Sequence, residues 1–335
     1  MNPDYLFERS GPPDPEVEAM ERTLAPLRFD PALRPLTLAR ARRPRTALHV
    51  IAAAAAVVAV CGGAIAAWSA WRLKWDEGRA WTVRLNDSKS ALPVSGSLDV
   101  PAGSVAAIDI ARIGEMRAAA GTILSLAQTR SARHRITLDA GSISVRVWAP
   151  PGRFGIRTPA GEVIDLGCVF DLSVDGGGST HLEVRTGWVQ LANGFGEALV
   201  PAGATSTMTT SRRPTVPVYL DASPRLRDAI RSFEAAMADP AAAAALEGAL
   251  PDARRRDVLT LLLLSRISPS AVARPLLDRA AALVPPPAGV SIDAVLAGDR
   301  DQFWTWYASL DLPPVKSWWR NWRDALPRFD ARYGD

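Results

Sequence analysis

EVIDLGCVFDLSV, residues Glu162 to Val174, holds one of the two cysteines of a 335-residue chain. Ile164, Leu166, Cys168, Phe170, Leu172 and Val174 fall on every second position, with Asp165, Gly167, Asp171 and Ser173 between them. Side chains of a strand alternate between its two faces, so this pattern predicts one half-buried strand with Cys168 on the apolar face. An unpaired cysteine there behaves as a small hydrophobe, and apolar surroundings keep its thiol inert. Asp165 and Asp171 belong by the same alternation to the outer, solvated face.

The strand period continues on both sides of this stretch. Trp81, Val83 and Leu85 alternate, as do Ile143, Val145 and Val147, and Phe154, Ile156 and Thr158. DAGS, APPGR, TPAGE, DGGGS and ANGFGE punctuate the runs as turn signals. Short strands at this spacing predict a mainly-β domain, a sandwich or roll, over residues 76–210. DGGGS has too few spaced carboxylates for a calcium loop and reads as a hairpin.

Upstream, residues from Thr46 to Trp71 include no Lys, Arg, Asp or Glu. As helix, such a run reaches roughly 39 Å and exceeds the hydrocarbon core of a bilayer. A cleavable signal peptide would begin closer to the start and be shorter. The expectation is a single transmembrane helix over 46–71. Arg42, Arg43 and Arg45 precede it, and Trp68, Trp71 and Trp75 stand at its exit where an aromatic belt would lie. The excess of basic residues before the run places the N-terminus in the cytoplasm and the bulk of the chain outside it.

Residues 1–45 form a short cytoplasmic segment. Asp14-Pro15 opens a helix, and Val17, Met20, Leu24 and Leu27 recur along one face of it. So short a segment has little with which to cover that stripe, so these four residues are the candidate partner contact.

After a linker at 211–222 the period changes to that of helices. Ser223-Pro224, Asp239-Pro240, Asp252 and Ser268-Pro269 mark successive helix starts, and two short helices follow near Ser291–Ala297 and Asp301–Leu310. Residues 223–335 therefore read as an α-helical bundle. Trp304, Trp306, Trp318, Trp319 and Trp322, interleaved with Lys316, Arg320 and Arg323, read as packing on that bundle with snorkelling basic chains. The placement outside the cytoplasm argues against nucleic acid as a partner.

The segment RFGIRTPAGEVIDLGCVFDLSVDGGGSTHLEVRTGWVQLANGFGEALVPAGA resembles the FecR domain. The matching residues are Phe154, Thr158, Pro159, Leu166, Gly167, Cys168, Phe170, Val184, Gly187, Val189, Ala202 and Gly203, within a resemblance over about residues 81–205. It implies a bacterial inner-membrane regulator that senses a periplasmic state and controls an extracytoplasmic-function sigma factor, with a structural role for the cysteine position. The other reading of the same layout is an envelope scaffold that binds protein or glycan in the periplasm and does not signal.

Composition excludes several classes. The chain is 48% hydrophobic and 22% charged with a net charge of +4, values of a globular protein rather than a disordered one. His49, His134 and His181 are its histidines, and no His/Cys spacing suits zinc. His134, between two arginines in SARHRIT, looks exposed. GGGST lacks the Gly-Lys-Ser/Thr of a phosphate loop. With no convergent nucleophile and base legible, neither enzymatic activity nor a cofactor is expected.

Overall fold

A computed structural model describes residues 15–27, 45–86 and 88–312. The chain forms two units, residues 1–64 and 65–335. In the first, α1 (Pro15–Leu24) runs into a short 3-10 turn (Ala25–Leu27), and none of its residues is buried. α2 (Arg45–Leu73) crosses from the first unit into the second and is exposed from Ala53 onward apart from its last residues. It is the one helix among the described residues that is long and apolar enough to cross a membrane.

Among the described residues, the second unit continues with fifteen strands. The first five are β1 (Trp81–Leu85), β2 (Ser88–Leu92), β3 (Ser97–Asp99), β4 (Ala106–Ile110) and β5 (Gly114–Ala118). The next five are β6 (Ile123–Arg130), β7 (Arg133–Val147), β8 (Phe154–Thr158), β9 (Gly161–Asp165) and β10 (Val169–Val174). The last five are β11 (Thr180–Thr186), β12 (Trp188–Asn193), β13 (Gly196–Pro201), β14 (Ala204–Met208) and β15 (Val218–Tyr219). All pair antiparallel except β7 with β8, which run parallel.

β7 organises the sheet. Its first half pairs with β6 and β8, and its second half with β5 and β10. Ile136 and Leu138 face the core in the first half, and Ile143, Val145 and Val147 in the second, so the inward parity changes between them. The change happens at Asp139–Ser142, which is therefore a bend inside one long strand and not the turn that DAGS suggests. Gly141 takes φ +93 there, and a Cβ on it would lie 2.4 Å from the Thr122 Cα. Two wings of sheet meet along β7, and their inner faces share one core containing Trp81, Met116, Ile136, Val145, Phe154 and Phe170.

The same device corrects the expectation for Glu162–Val174. It is two strands in different wings: β9 pairs with β8 and β12, while β10 pairs with β7 and β11. In β9 the inward residues are Val163 and Asp165, and Ile164 is half-buried. In β10 they include Phe170, Leu172 and Val174. The corner Leu166-Gly167-Cys168 lies between, so the continuous alternation read from the sequence spans a change of sheet.

Asp165 is accordingly buried and not on a solvated face. Its Oδ1 accepts hydrogen bonds from the Cys168 backbone N–H at 2.9 Å and from the Cys168 thiol. Cys168 is fully buried, a corner residue whose side chain helps hold the carboxylate that fastens the turn. Cys168→Ala removes both packing and that donor and is expected to cost about 1–3 kcal/mol. Cys168→Ser retains a donor and is expected to cost less than the alanine. Urea titration by circular dichroism orders the two, and a serine variant less stable than the alanine would contradict the hydrogen-bonding role.

His134 is also corrected: it is buried in β7. Trp81 Nε1 donates to Thr129 Oγ1 at 2.9 Å, and that hydroxyl lies 2.8 Å from His134 Nδ1. Burial, reinforced by the neighbouring Arg135, pushes the imidazole down to about 4.

Among the described residues, six α-helices follow the sheet: α3 (Pro224–Ala235), α4 (Pro240–Ala249), α5 (Val258–Ser265), α6 (Ser270–Leu283), α7 (Ile292–Leu296) and α8 (Arg300–Ala308). Ser223, Asp239, Ser291 and Asp299 cap α3, α4, α7 and α8 by accepting from backbone N–H groups of the first turn. α5, apolar on nearly every side, is enclosed by the others. Residues 211–222 include β15, and Val216, Tyr219 and Ala222 are buried, so this stretch packs as part of the fold. Thr260 Oγ1 donates to the Pro217 carbonyl at 2.7 Å, and the Arg256 guanidinium lies 4.1 Å over the Tyr219 ring, tying helices to sheet. Trp306 is buried and Trp304 is exposed, while Trp318, Trp319 and Trp322 lie outside the described residues.

Candidate functional site

Two features stand out, one in each unit. On α1, Met20 and Leu24 are 57% and 53% exposed and Val17 is half-buried, and Leu27 in the 3-10 turn that follows is 78% exposed. Glu16 and Glu18 in the first turn and Arg22 in the last complement the helix dipole. The helix is therefore locally well formed, and among the described residues nothing buries its apolar stripe.

In the second unit the C-terminal end of α2 is fastened to the sheet. The final carbonyls of any helix lack partners within it. Here Arg112, in the turn between β4 and β5, donates from Nη1 to the Trp71 carbonyl at 3.2 Å and to the Lys74 carbonyl at 3.4 Å. Its guanidinium also lies 4.2 Å over the Trp71 ring. Placing a fixed cation on a helix C-terminus is favourable twice over, through the carbonyl bonds and through the dipole.

Further bonds secure the same junction. Arg72 Nη2 donates to the Trp148 carbonyl at 3.0 Å, and Trp148 Nε1 donates to the Arg112 carbonyl at 3.0 Å. The Trp75 N–H donates to Ser131 Oγ, and the Ser131 N–H donates back to the Trp75 carbonyl, both at 2.9 Å. Leu73 and Trp75 pack on the sheet core. Trp68 carries the Arg72 guanidinium over its face at 4.6 Å, and Trp75 carries that of Arg79 at 4.7 Å. A cleft of about 510 Å³ lies among Trp68, Trp71, Arg112 and Trp148. The tryptophans expected as an interfacial belt thus have a second role as the joint between helix and sheet. Arg42 and Arg43 lie outside the described residues, and Arg45 opens α2.

The residues that carry the FecR resemblance cluster around the corner already described. Phe154 and Thr158 sit on β8, exposed Pro159 in the turn after it, Phe170 on β10, Val184 on β11 and Val189 on β12. Leu166 N–H donates to the Trp188 carbonyl, Val147 N–H to the Cys168 carbonyl, and Gly203 N–H to the Val184 carbonyl. Thr158 Oγ1 donates to the Gly161 carbonyl and accepts from Thr180 Oγ1 at 2.7 Å. Gly187 follows β11 with φ +79, packed on the Gly167 carbonyl. These groups build the corner and its return turns, and they converge on no open cleft.

No family model matches the chain, and no curated protein matches it. Among solved structures it is similar to two crystal structures of a provisionally assigned anti-sigma factor from Parabacteroides distasonis ATCC 8503. The first is 16% identical with a TM-score of 0.33, over 41% of this chain and 64% of that one. The second is 15% identical with a TM-score of 0.29, over 48% of this chain and 63% of that one. The chain thus spans less than two thirds of the length of either neighbour.

Arg112 and Trp148 were not legible from the sequence as parts of the junction. Each is a single residue in a turn or at a strand end, far along the chain from Trp71. The one available signal was Trp68-x-x-Trp71-Arg72-x-x-Trp75, which reads equally as an interfacial belt.

Proposed function

We propose that this chain is a single-pass inner-membrane regulator that couples a periplasmic, FecR-like β domain to a cytoplasmic sigma factor of the extracytoplasmic-function class. The observation that carries this reading is the fastening of the α2 end to the sheet by Arg112, Arg72 and Trp148. The end of the span held this way gives a change in the β domain a route toward the membrane. The excess of basic residues before α2 supports a cytoplasmic N-terminus. The exposed stripe of α1 then supplies the surface that holds or releases the partner. In this reading the chain acts by binding and performs no catalysis.

The stripe gives the test. Met20→Asp combined with Leu24→Asp places two carboxylates in any groove that receives the helix. Partner affinity is expected to fall about a hundredfold, equivalent to about 3 kcal/mol. Target transcripts should change, and co-purification of the sigma factor with the membrane-inserted protein should be lost at unchanged membrane level. An unchanged transcriptome and an unchanged set of cytoplasmic co-purifying proteins would reject the regulator and leave the envelope scaffold.

A further inference from the structure

In the second unit a cleft lies between the outer face of β14 and helix α3. Its volume is about 710 Å³, inside the range of roughly 300–1,000 Å³ typical of small-molecule sites. One wall is apolar, formed by Val216, Val218, Ile230 and Met237. The rest is strongly basic.

Four arginines reach the cleft, against one carboxyl group, Glu234. Two of the four are engaged: Arg212 Nη1 donates to the Ala235 carbonyl at 2.9 Å, and Arg231 pairs with Asp228 at 3.1 Å. Arg213 and Arg227 are not spent in this way on the rim. Arg227 Nε is buried with no hydrogen-bond partner among the described residues, and so is the Thr209 Oγ1 hydroxyl on the opposite side. Buried donors without partners are rare, because each forfeits its hydration, and they point to a group that supplies acceptors. Glu234 does not supply them. Its Oε1 already accepts from the Val216 N–H at 2.8 Å, and burial raises its carboxyl to about 7 although Arg213 favours the charge.

We propose that this cleft binds a small amphiphilic anion, an apolar body bearing one carboxylate or phosphate group. The guanidinium of Arg227 and the hydroxyl of Thr209 receive the anionic head, and Val216, Ile230 and Met237 receive the body. Planar guanidinium forks match carboxylate and phosphate oxygens in pairs, and the apolar wall excludes a bare ion as the best ligand. Residues 313–335 are a poor occupant on charge alone, with five basic and three acidic residues. A ligand here would bridge β14 and α3, which makes the site an input to the β domain that is independent of the cytoplasmic partner.

The test uses the full chain in lipid nanodiscs, with empty nanodiscs as the blank, at pH 8. The probes are 4-phenylbutyrate, the uncharged 4-phenyl-1-butanol and inorganic phosphate, followed by calorimetric titration. Saturable binding of 4-phenylbutyrate is expected, with the alcohol weaker by about tenfold or more. Arg227→Gln should weaken the carboxylate by about tenfold while leaving the alcohol unchanged. Glu234→Gln, which removes the opposing charge and keeps the shape, should tighten the carboxylate by about two- to fivefold. That gain is one that misfolding does not produce. Equal binding of acid and alcohol, equal binding by wild type and Arg227→Gln, or no saturable binding of 4-phenylbutyrate would overturn the proposal. Binding of phosphate without 4-phenylbutyrate would overturn its apolar half and leave a plain anion site.

Discussion

Gly187→Val is expected to unfold the β-rich unit. Gly187 sits between β11 and β12 with φ +79, a left-handed conformation that costs an L-residue roughly 1–2 kcal/mol and a β-branched one more. A Cβ there would lie 2.5 Å from the Gly167 carbonyl oxygen and 3.1 Å from the Cys168 Cβ. The obstacle is backbone, so no side chain can swing aside. Relief requires opening the corner between β9 and β10, which undoes the Asp165 bonds to Cys168 and the pairing of β9 with β12. The combined penalty is expected to exceed about 4 kcal/mol, at the extreme of single-substitution effects. Urea unfolding in mild detergent, followed by far-ultraviolet circular dichroism, measures it. A midpoint close to that of the wild type would mean the corner is far more pliable than its contacts imply.

Trp81→Ala carries the second large effect. Trp81 is 1% exposed, packs against Phe154 and His134 with ring centroids 6.5 and 6.0 Å apart, and gives its indole N–H to Thr129. Truncation leaves a cavity between the two wings and is expected to cost about 3–5 kcal/mol. Trp81→Phe keeps an aromatic ring of smaller volume and leaves the Thr129 hydroxyl without its donor, for about 1–2 kcal/mol. The same substitution tests the state of His134. In the folded chain its imidazole titrates near 4, against 6.5 when unfolded. A depressed folded pKa means that the neutral ring is favoured, so its stabilisation is complete above pH 6.5 and is lost as pH falls through 4. The loss amounts to about 3 kcal/mol at the acid end. Trp81→Ala admits water to the ring and should flatten that dependence between pH 6.5 and 4, in addition to lowering stability at neutral pH. Urea midpoints at several pH values for both proteins decide this, and parallel pH profiles would remove His134 from the buried network.

The basic triplet Arg254, Arg255 and Arg256 illustrates how charge reads differently in the fold. In sequence it is a local excess of positive charge. In the structure Arg254 bridges Asp221 and Asp257, and Arg256 covers Tyr219 and donates to the Ala202 carbonyl at 2.9 Å. Two of the three charges are used to hold the helices to the sheet, so the triplet is no free basic patch.

The amino-acid sequence by itself determined whatever depends on neighbours within a few residues. The uncharged run of α2 follows from composition, and the helix starts at Ser223, Asp239 and Ser291 follow from cap chemistry one turn long, whereas α8 is capped by Asp299, two residues before the Asp301 read from the sequence. The strands follow from period-two alternation, and the burial of Cys168 follows from its apolar flanks. Only the tertiary structure decided where a continuous alternation changes sheet, because that depends on which distant strands supply the hydrogen bonds. It therefore decided that Asp165 is buried, that Asp139–Ser142 bends within β7, and that His134 lies beneath Trp81, whose partner Thr129 is 48 residues away. The junction of Arg112 with Trp71, 41 residues apart, and the cleft between β14 and α3 belong to the same class. Pairings at such separations leave no period in the chain, since each is settled by packing of the whole domain rather than by local propensity.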